Sequence, residues 1–573
     1  MAKTVRLKNR TTSRPTGLLL GLLASASIFL LFYNLGGAPL GKAESRIAEV
    51  VREMAIKGDL LHPTCLFIPY VTKPLLPYWL AIGTSKVTGV IDEFTLRIPS
   101  ALGAFAALVA TFFLGGMISG LEAGLFSSAI LLSCLGVLQW GRCASPDMLN
   151  MAAITVAIAW YWRWRQEPRF WAILVFGLLT AISGHMKGLV GVVIPLMAAG
   201  IDILYSRRFR LVMQPANLLV LAAGLGIYLV PFLLSSWSGS THGYNWLSTA
   251  FRESITRAIK PFDHEGSPFM YVEFVPVWIL PWAPLLLGMM FLLLRDIRRQ
   301  SQQTRWLLIC SGAIFVMFTL AGSRRSYYIL PILPFCALVA GTSLSKNHLQ
   351  NPHLRMVFGL QAWFFLLVAV CMIVFSAWGL LLEGLPFSHT FMTMVLVHGL
   401  VILVFSLAFL YWAKLSRPSL SHQSVLLVFI AILIIGGLTH LERPFFEQQA
   451  TEKAFVHQVK QRLLKESNTI PLYFRLGVRT RARVSFYLGQ RGPVRNFLHA
   501  PSLTKHLSPR KGWLIILAHE DKTELLNALN KLQRARIEEI FSERFHKWEG
   551  WPGRQEKEKE GKLLCLEITW KDG

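Results

Sequence analysis

Charged side chains are sparse in this sequence, and a few stand where a polar ligand would account for them. Asp147, in Ser145-Pro146-Asp147, closes one apolar run and opens the next. A carboxylate there either caps the following helix by accepting from its free backbone N–H groups, or acts on a substrate, since ionisable groups near membrane depth are costly and kept for a task. Lys187, in His185-Met186-Lys187-Gly188, breaks two apolar runs. It either extends its ammonium to the membrane surface or faces an anionic ligand. Arg324 and Arg325 lie in Gly322-Ser323-Arg324-Arg325-Ser326-Tyr327-Tyr328. They read either as lipid-headgroup anchors or as a phosphate clamp, because a guanidinium matches phosphate oxygens two at a time. The stretch Lys42–Met54 is dense in charge yet keeps Ile47, Val50, Val51 and Met54 at helical spacing. It predicts an amphipathic helix lying along a membrane surface. With Lys73 in the loop Pro69–Pro74, it marks a place where something anionic is handled.

These residues are positioned by membrane-spanning helices. The chain has 573 residues, 53% of them hydrophobic and 16% charged, and its apolar runs reach the ~17–25 residues of a bilayer-crossing helix. The fold class expected is a polytopic α-helical membrane protein with about thirteen spans. The net charge of +26 fits basic loops that fix orientation. No zinc-finger or phosphate-loop pattern accompanies it, so nucleic acid is excluded as a partner.

Orientation follows from the basic loops. With a cytoplasmic N-terminus and that span count, Arg163–Arg169, Arg207–Arg210, Arg295–Arg305, Lys346–Arg355 and Lys414–Arg417 all fall on the cytoplasmic side. The loops 36–96, 140–147, 237–272 and 322–328 then lie outside. Leu75–Ile91 is apolar but carries Pro77, Gly83 and Gly89. It reads as a second interfacial helix, because a crossing there would put the later basic loops outside. Residues 1–439 form the expected transmembrane domain and 440–573 an extracytoplasmic α/β domain. In the latter, strand-like runs at Ile470–Phe474, Trp513–Leu517 and Leu563–Trp570 alternate with helical patterns. The seven cysteines show no metal-ligand spacing. Cys65 and Cys143 share the outer side, and their pairing is left open by sequence.

In order along the chain stand Glu44-Ser45-Arg46, Ala48-Glu49, Arg52-Glu53-Met54, Gly58-Asp59, Pro69-Tyr70, Lys73-Pro74, Tyr78-Trp79, Arg97–Ser100, Ser145–Leu149, Lys187-Gly188 and Tyr328–Pro331. This set resembles bacterial membrane glycosyltransferases of the polyprenyl-phosphate-sugar (GT-C) type, in the superfamily of the lipid A aminoarabinose transferase and the protein O-mannosyltransferases. The resemblance implies transfer of a sugar from a polyprenyl-phosphate-linked donor to a lipid, such as lipid A, or a protein acceptor. The site implied is at the outer face of a bacterial inner membrane, among membrane lipids. It implies Glu44 and Asp147 as catalytic carboxylates, and Arg46, Lys73, Arg324, Arg325 and Tyr328 as holders of the lipid phosphate. Cations there stabilise the leaving anion, and a base activates a weak oxygen nucleophile.

The sequence departs from the family pattern at three positions. Ala43 stands where an aspartate is usual, Thr72 where a glutamate precedes Lys-Pro, and Ser254 where a histidine follows Glu253. Two of these, Thr72 and Ser254, are the positions from which a divalent metal would be expected to be held. Three accounts stay open: Glu44 serves as base one residue along, the acceptor needs another geometry, or lipid-phosphate binding persists without transfer. A transporter fits less well, for no internal repeat is seen and the charges gather outside the spans.

Overall fold

A computed structural model of the chain describes residues 14–70, 72–209, 214–237, 267–345, 352–381, 389–415, 420–447, 452–465, 469–507, 511–532, 535–544 and 562–570. The expected outer loop 237–272, with Glu253 and Ser254, lies almost wholly outside these residues. So do parts of the basic loops at 207–210, 346–355 and 414–417.

Apolar helices dominate. Among the described residues seven helices are long and apolar enough to cross a membrane, or up to nine if each of two bent pairs is one span. Three more apolar helices, Gly17–Phe32, Val190–Ser206 and Val425–Gly437, are shorter. The helix Pro146–Trp164 has the length but carries Asp147 and Asn150 near its start and Arg163 near its end. The structure thus supports a polytopic helical protein with fewer clear crossings than the hydropathy count.

The chain begins with α1 (Arg14–Phe32), then α2 (Lys42–Lys57). The latter is the expected amphipathic helix in position, extended by one turn and stopped by Gly58 in the left-handed conformation, φ 69°, but its apolar residues Val50, Val51 and Met54 are buried against the C-terminal sheet, where a membrane surface was expected. A hairpin follows, β1 (Thr64–Cys65) with β2 (Ile68–Pro69). Its tip holds Leu66 and Phe67 at φ 59° and 62°, a region that costs non-glycine residues free energy. Glu53 on α2 offsets that cost by accepting from the Phe67 N–H at 3.0 Å and from the Thr64 hydroxyl. Next is α3 (Leu76–Thr88), 13 residues, at ~1.5 Å per residue too short to cross a ~30 Å hydrocarbon core. Then come α4 (Glu93–Ser119), the bent pair α5 (Leu121–Leu132) and α6 (Leu135–Gly141), α7 (Pro146–Trp164), α8 (Phe170–Lys187) and α9 (Val190–Ser206). Buried residues of α1, α4 to α7 and the later apolar helices form one continuous core. Cys65 and Cys143 are both free thiols, so no bridge joins them.

Beyond Glu452 the chain builds a five-stranded mixed sheet in the order β4-β3-β5-β7-β6: β3 (Thr469–Phe474), β4 (Asn496–Phe497), β5 (Gly512–Ala518), β6 (Ala535–Arg544) and β7 (Lys562–Trp570). Strand β3 is parallel to β4 and β5, and β7 is antiparallel to β5 and β6. The period-2 rule sorts its side chains. Trp513, Ile515 and Leu517 of β5 enter a core with Leu503 and Leu525, whereas Leu514 and Ile516 share a core with Val50, Val51 and Met54 of α2. One sheet face is thereby continuous with the α2–α3 region.

Candidate active site

The site is built around the loop between α6 and α7, residues 142–145, which three neighbours tether. Arg142 donates to the carbonyls of Leu30 at 3.0 Å and Tyr33 at 2.8 Å, fixing the loop to the end of α1. The Ser100 hydroxyl on α4 donates to the Ser145 carbonyl at 3.2 Å. The third tether is Glu44, whose Oε1 accepts from the Ala144 N–H at 2.7 Å.

Glu44 is fully engaged. Arg97 of α4 donates to both its oxygens at 2.8 Å, and the Gly41 N–H, at the start of α2, donates to Oε2 at 2.8 Å. Arg97 also donates to the carbonyls of Leu35, Ala38 and Pro39. Burial by itself would raise the Glu44 pKa, but the Arg97 charge and the bonds from Arg97, Ala144 and Gly41 outweigh it and hold the carboxyl below its ordinary range. A carboxylate this occupied stabilises the junction of α2, α4 and the 142–145 loop.

Asp147 opens α7. Ser145 is the N-cap, its Oγ accepting from the Asp147 N–H at 3.2 Å and donating to the Asp147 carboxylate at 2.7 Å. The cap is therefore the serine, and the Asp147 side chain points elsewhere, into an ion pair with Lys187 at the end of α8. Both side chains are less than a tenth exposed. The Lys187 ammonium also lies 3.9 Å from the Tyr328 ring centre and 5.9 Å from that of Tyr327, a favourable place for a desolvated cation. These tyrosines sit on a 3-10 turn, Ser326–Ile332. Trp140 packs on Tyr327 at 4.1 Å, and the Trp278 indole N–H donates to the Ser326 carbonyl at 2.7 Å. Tyr271, fully buried, is within electrostatic reach of Tyr328, Arg324 and Asp147. Arg324 donates to the Thr319 carbonyl at 2.9 Å, bracing the turn against the helix Gln302–Leu320.

The structure thus brings Asp147, Arg324, Arg325 and Tyr328 into one neighbourhood, with Glu44 joined to it through Ala144. Arg46 lies elsewhere on α2, its guanidinium 5.9 Å from the Tyr70 ring centre. Lys73, three residues beyond Tyr70, is half-buried. Residues that sequence reasoning did not place in the site are Lys187, Tyr327 and Tyr271. The signal for Lys187 was present, a lysine interrupting an apolar run, but sequence did not supply its partner. Among the described residues no group of three or more His, Cys, Asp or Glu side chains is placed to hold a metal, and Thr72 offers one hydroxyl.

A buried carboxylate–ammonium pair beside paired arginines and a tyrosine turn is equipped to receive an anion and to take up a proton. The family model for dolichyl-phosphate-mannose-protein mannosyltransferases matches residues 21–238, which include Glu44, Asp147 and Lys187. An undecaprenyl phosphate-alpha-4-amino-4-deoxy-L-arabinose arabinosyl transferase of Aeromonas salmonicida is 26% identical over 62% of this chain and 70% of its own length. An uncharacterised protein of Aquifex aeolicus is 28% identical over 56% of this chain, and the match spans 63% of that protein, just under two thirds. The crystal structure of ArnT from Cupriavidus metallidurans bound to undecaprenyl phosphate shares the fold, with a TM-score of 0.72 over 96% of this chain and 98% of that one, at 19% identity. By these matches the chain is similar, over part of its length, to the dolichyl-phosphate-mannose-protein mannosyltransferase family and to the arabinosyl transferases.

Proposed function

We propose that this protein transfers a sugar from a polyprenyl-phosphate-linked donor to a lipid or protein acceptor at the outer face of a bacterial inner membrane. The observation that carries the reading is the buried Asp147–Lys187 pair beneath Tyr327 and Tyr328. The named relatives, arabinosyl transferases using undecaprenyl phosphate-linked sugar, support the reaction class and the donor. They give no support to a binder without transfer.

In this reading Lys187 is paired with Asp147 until the donor arrives. A phosphate oxyanion entering beside Tyr328 competes for the ammonium, and Arg324 and Arg325 add positive charge nearby. Asp147 is released from its partner as the donor docks. The acceptor hydroxyl oxygen attacks the anomeric carbon, the bond from that carbon to the phosphate oxygen breaks, and the polyprenyl phosphate leaves as an anion held by Lys187. The acceptor proton passes to Asp147. Positioned cations stabilise charge that grows on the leaving group, and a positioned base is worth ~10²–10⁴-fold. Glu44 acts through Ala144 as a positioning residue, and Arg46 and Lys73 are assigned to the approach of the donor phosphate along α2 and the 69–74 loop.

The topology proposed with this function counts the three shorter apolar helices and α7 as crossings beside the bent pairs. That makes about thirteen spans of the usual kind, with residues 440–573 on the outer side. The test is transfer by purified protein from an undecaprenyl-phosphate-linked sugar, wild type against Asp147→Asn. Transfer lost in a variant that still binds undecaprenyl phosphate supports the assignment. Undiminished transfer removes Asp147 from the reaction.

A further inference from the structure

The C-terminal sheet unit packs on the active-site framework, and one hydroxyl joins two of its segments. Tyr487, on the helix Val478–Leu488, accepts from the Leu40 N–H at 2.9 Å and donates to the Glu93 carboxylate at 3.0 Å. Lys453, on the helix Glu452–Lys465, reaches the same Glu93 oxygen at 2.7 Å, and Arg483 donates to the Leu40 carbonyl at 3.4 Å. About three turns along α2, Arg52 pairs bidentately with Glu49 at 2.7 and 2.8 Å and donates to the Gln490 carbonyl. Leu40 and Glu93 are not arbitrary anchor points. Leu40 ends the segment whose carbonyls at Leu35, Ala38 and Pro39 are held by Arg97, and Glu93 begins the helix that carries Arg97. Arg97 holds Glu44, and Glu44 holds Ala144, three residues from Asp147.

We infer that Tyr487 is a positioning residue: the C-terminal unit fixes the Asp147 loop by a continuous hydrogen-bonded path through Leu40 and Glu93, Arg97, Glu44 and Ala144. This rests on the reading of Asp147 as the reacting carboxylate, but the path itself is testable without any turnover. Tyr487 is less than a tenth exposed, and its hydroxyl is used in both directions, as acceptor and as donor. Removing it leaves the Leu40 N–H short of a partner and takes one of two donors from the Glu93 oxygen, which keeps Lys453, while the ring still fills its place. Losing one buried hydrogen bond loosens the segments it holds by a free energy that corresponds to about tenfold in local opening.

The experiment is amide hydrogen exchange on the full-length protein in nanodiscs, comparing wild type, Tyr487→Phe, Lys453→Gln and Arg475→Ala. Arg475 pairs with Glu524 and Asp521 inside the C-terminal unit and serves as the control. The expected result is exchange faster by about tenfold in residues 35–45 and also in 140–148 for Tyr487→Phe. Lys453→Gln should show a smaller change in the same two segments, and Arg475→Ala none. Faster exchange confined to 35–45, or equal exchange in 140–148 for Tyr487→Phe and Arg475→Ala, would overturn the proposal. Binding of undecaprenyl phosphate to the wild type, measured in the same nanodiscs, reports separately on the functional reading.

Discussion

Replacing Glu44 by glutamine separates a structural carboxylate from a catalytic one. The side chain is 3% exposed and accepts four hydrogen bonds, two from Arg97 and one each from the Gly41 and Ala144 N–H groups. A glutamine amide nitrogen cannot accept, so at least one of those donors loses its partner, and the buried Arg97 charge loses its counter-ion. Breaking a buried ion pair from one side costs ~3–5 kcal/mol, a large part of a domain's stability. Glu44→Gln is therefore expected to lower the thermal midpoint of the purified protein markedly. A pH dependence goes with it. The Glu44 pKa is lowered in the folded state, so its contribution is fully present above the unfolded value near 4.5 and is lost as pH falls through the folded value. Wild type should show an acid-side fall in midpoint that Glu44→Gln lacks. The assay is tryptophan fluorescence melting in detergent from pH 3 to 8. A Glu44→Gln protein with a wild-type midpoint and wild-type acid profile, yet no transfer, would refute the clamp and restore Glu44 as a base.

Further outcomes follow from other contacts. Glu49 is pushed up to about 7, burial outweighing its pairing with Arg52. It binds a proton in the folded state that the unfolded chain has released, so its contribution to stability falls as pH rises from about 4.5 to 7. Glu49→Gln should flatten the midpoint over that range in the same melts. Gly191→Ala should destabilise the protein or lower its yield, because the added Cβ would lie 2.2 Å from the Ser183 carbonyl oxygen, where α8 and α9 meet backbone to backbone. Size-exclusion recovery measures it, and wild-type recovery would show that the two helices can part. Phe67→Gly should leave stability equal or better, since φ 62° suits glycine. A large loss in midpoint would mean that the Phe67 ring, 5.1 Å from the Lys57 ammonium, matters more than its backbone.

Much of the fold was legible because bilayer length and helical spacing leave strong periodic signals. The helix Lys42–Lys57 and the strands near Ile470, Trp513 and Leu563 stand where the pattern placed them. The span count was less legible. Asp147, Asn150 and Arg163 dilute the hydropathy of α7, and bends at Ser133-Cys134 and Ile279–Trp282 divide two runs that read as continuous. In the site, residue type was readable and partnership was not. Glu44 stood out as a carboxylate on the right helix, but Arg97 lies 53 positions away and Ala144 offers only its backbone. Asp147 had two readings, and Ser145 takes the cap that would have explained it away. Lys187 had two as well, and the choice between surface and interior needed the Tyr328 ring. Tyr487 was out of reach of sequence reasoning, because a tyrosine in a soluble-looking helix gives no sign of a partner 394 positions upstream.

The central claim is that Lys187 is shared between Asp147 and the donor phosphate. Affinity for undecaprenyl phosphate in Lys187→Met and Asp147→Asn, measured side by side at one ionic strength, tests it most directly. Binding should weaken by at least about tenfold in Lys187→Met, the worth of one charge-assisted contact of ~1.5–3 kcal/mol. It should hold or tighten in Asp147→Asn, where the ammonium no longer has a competing carboxylate. Equal weakening in both variants would contradict the exchange of partners, and unchanged binding in Lys187→Met would place the phosphate elsewhere.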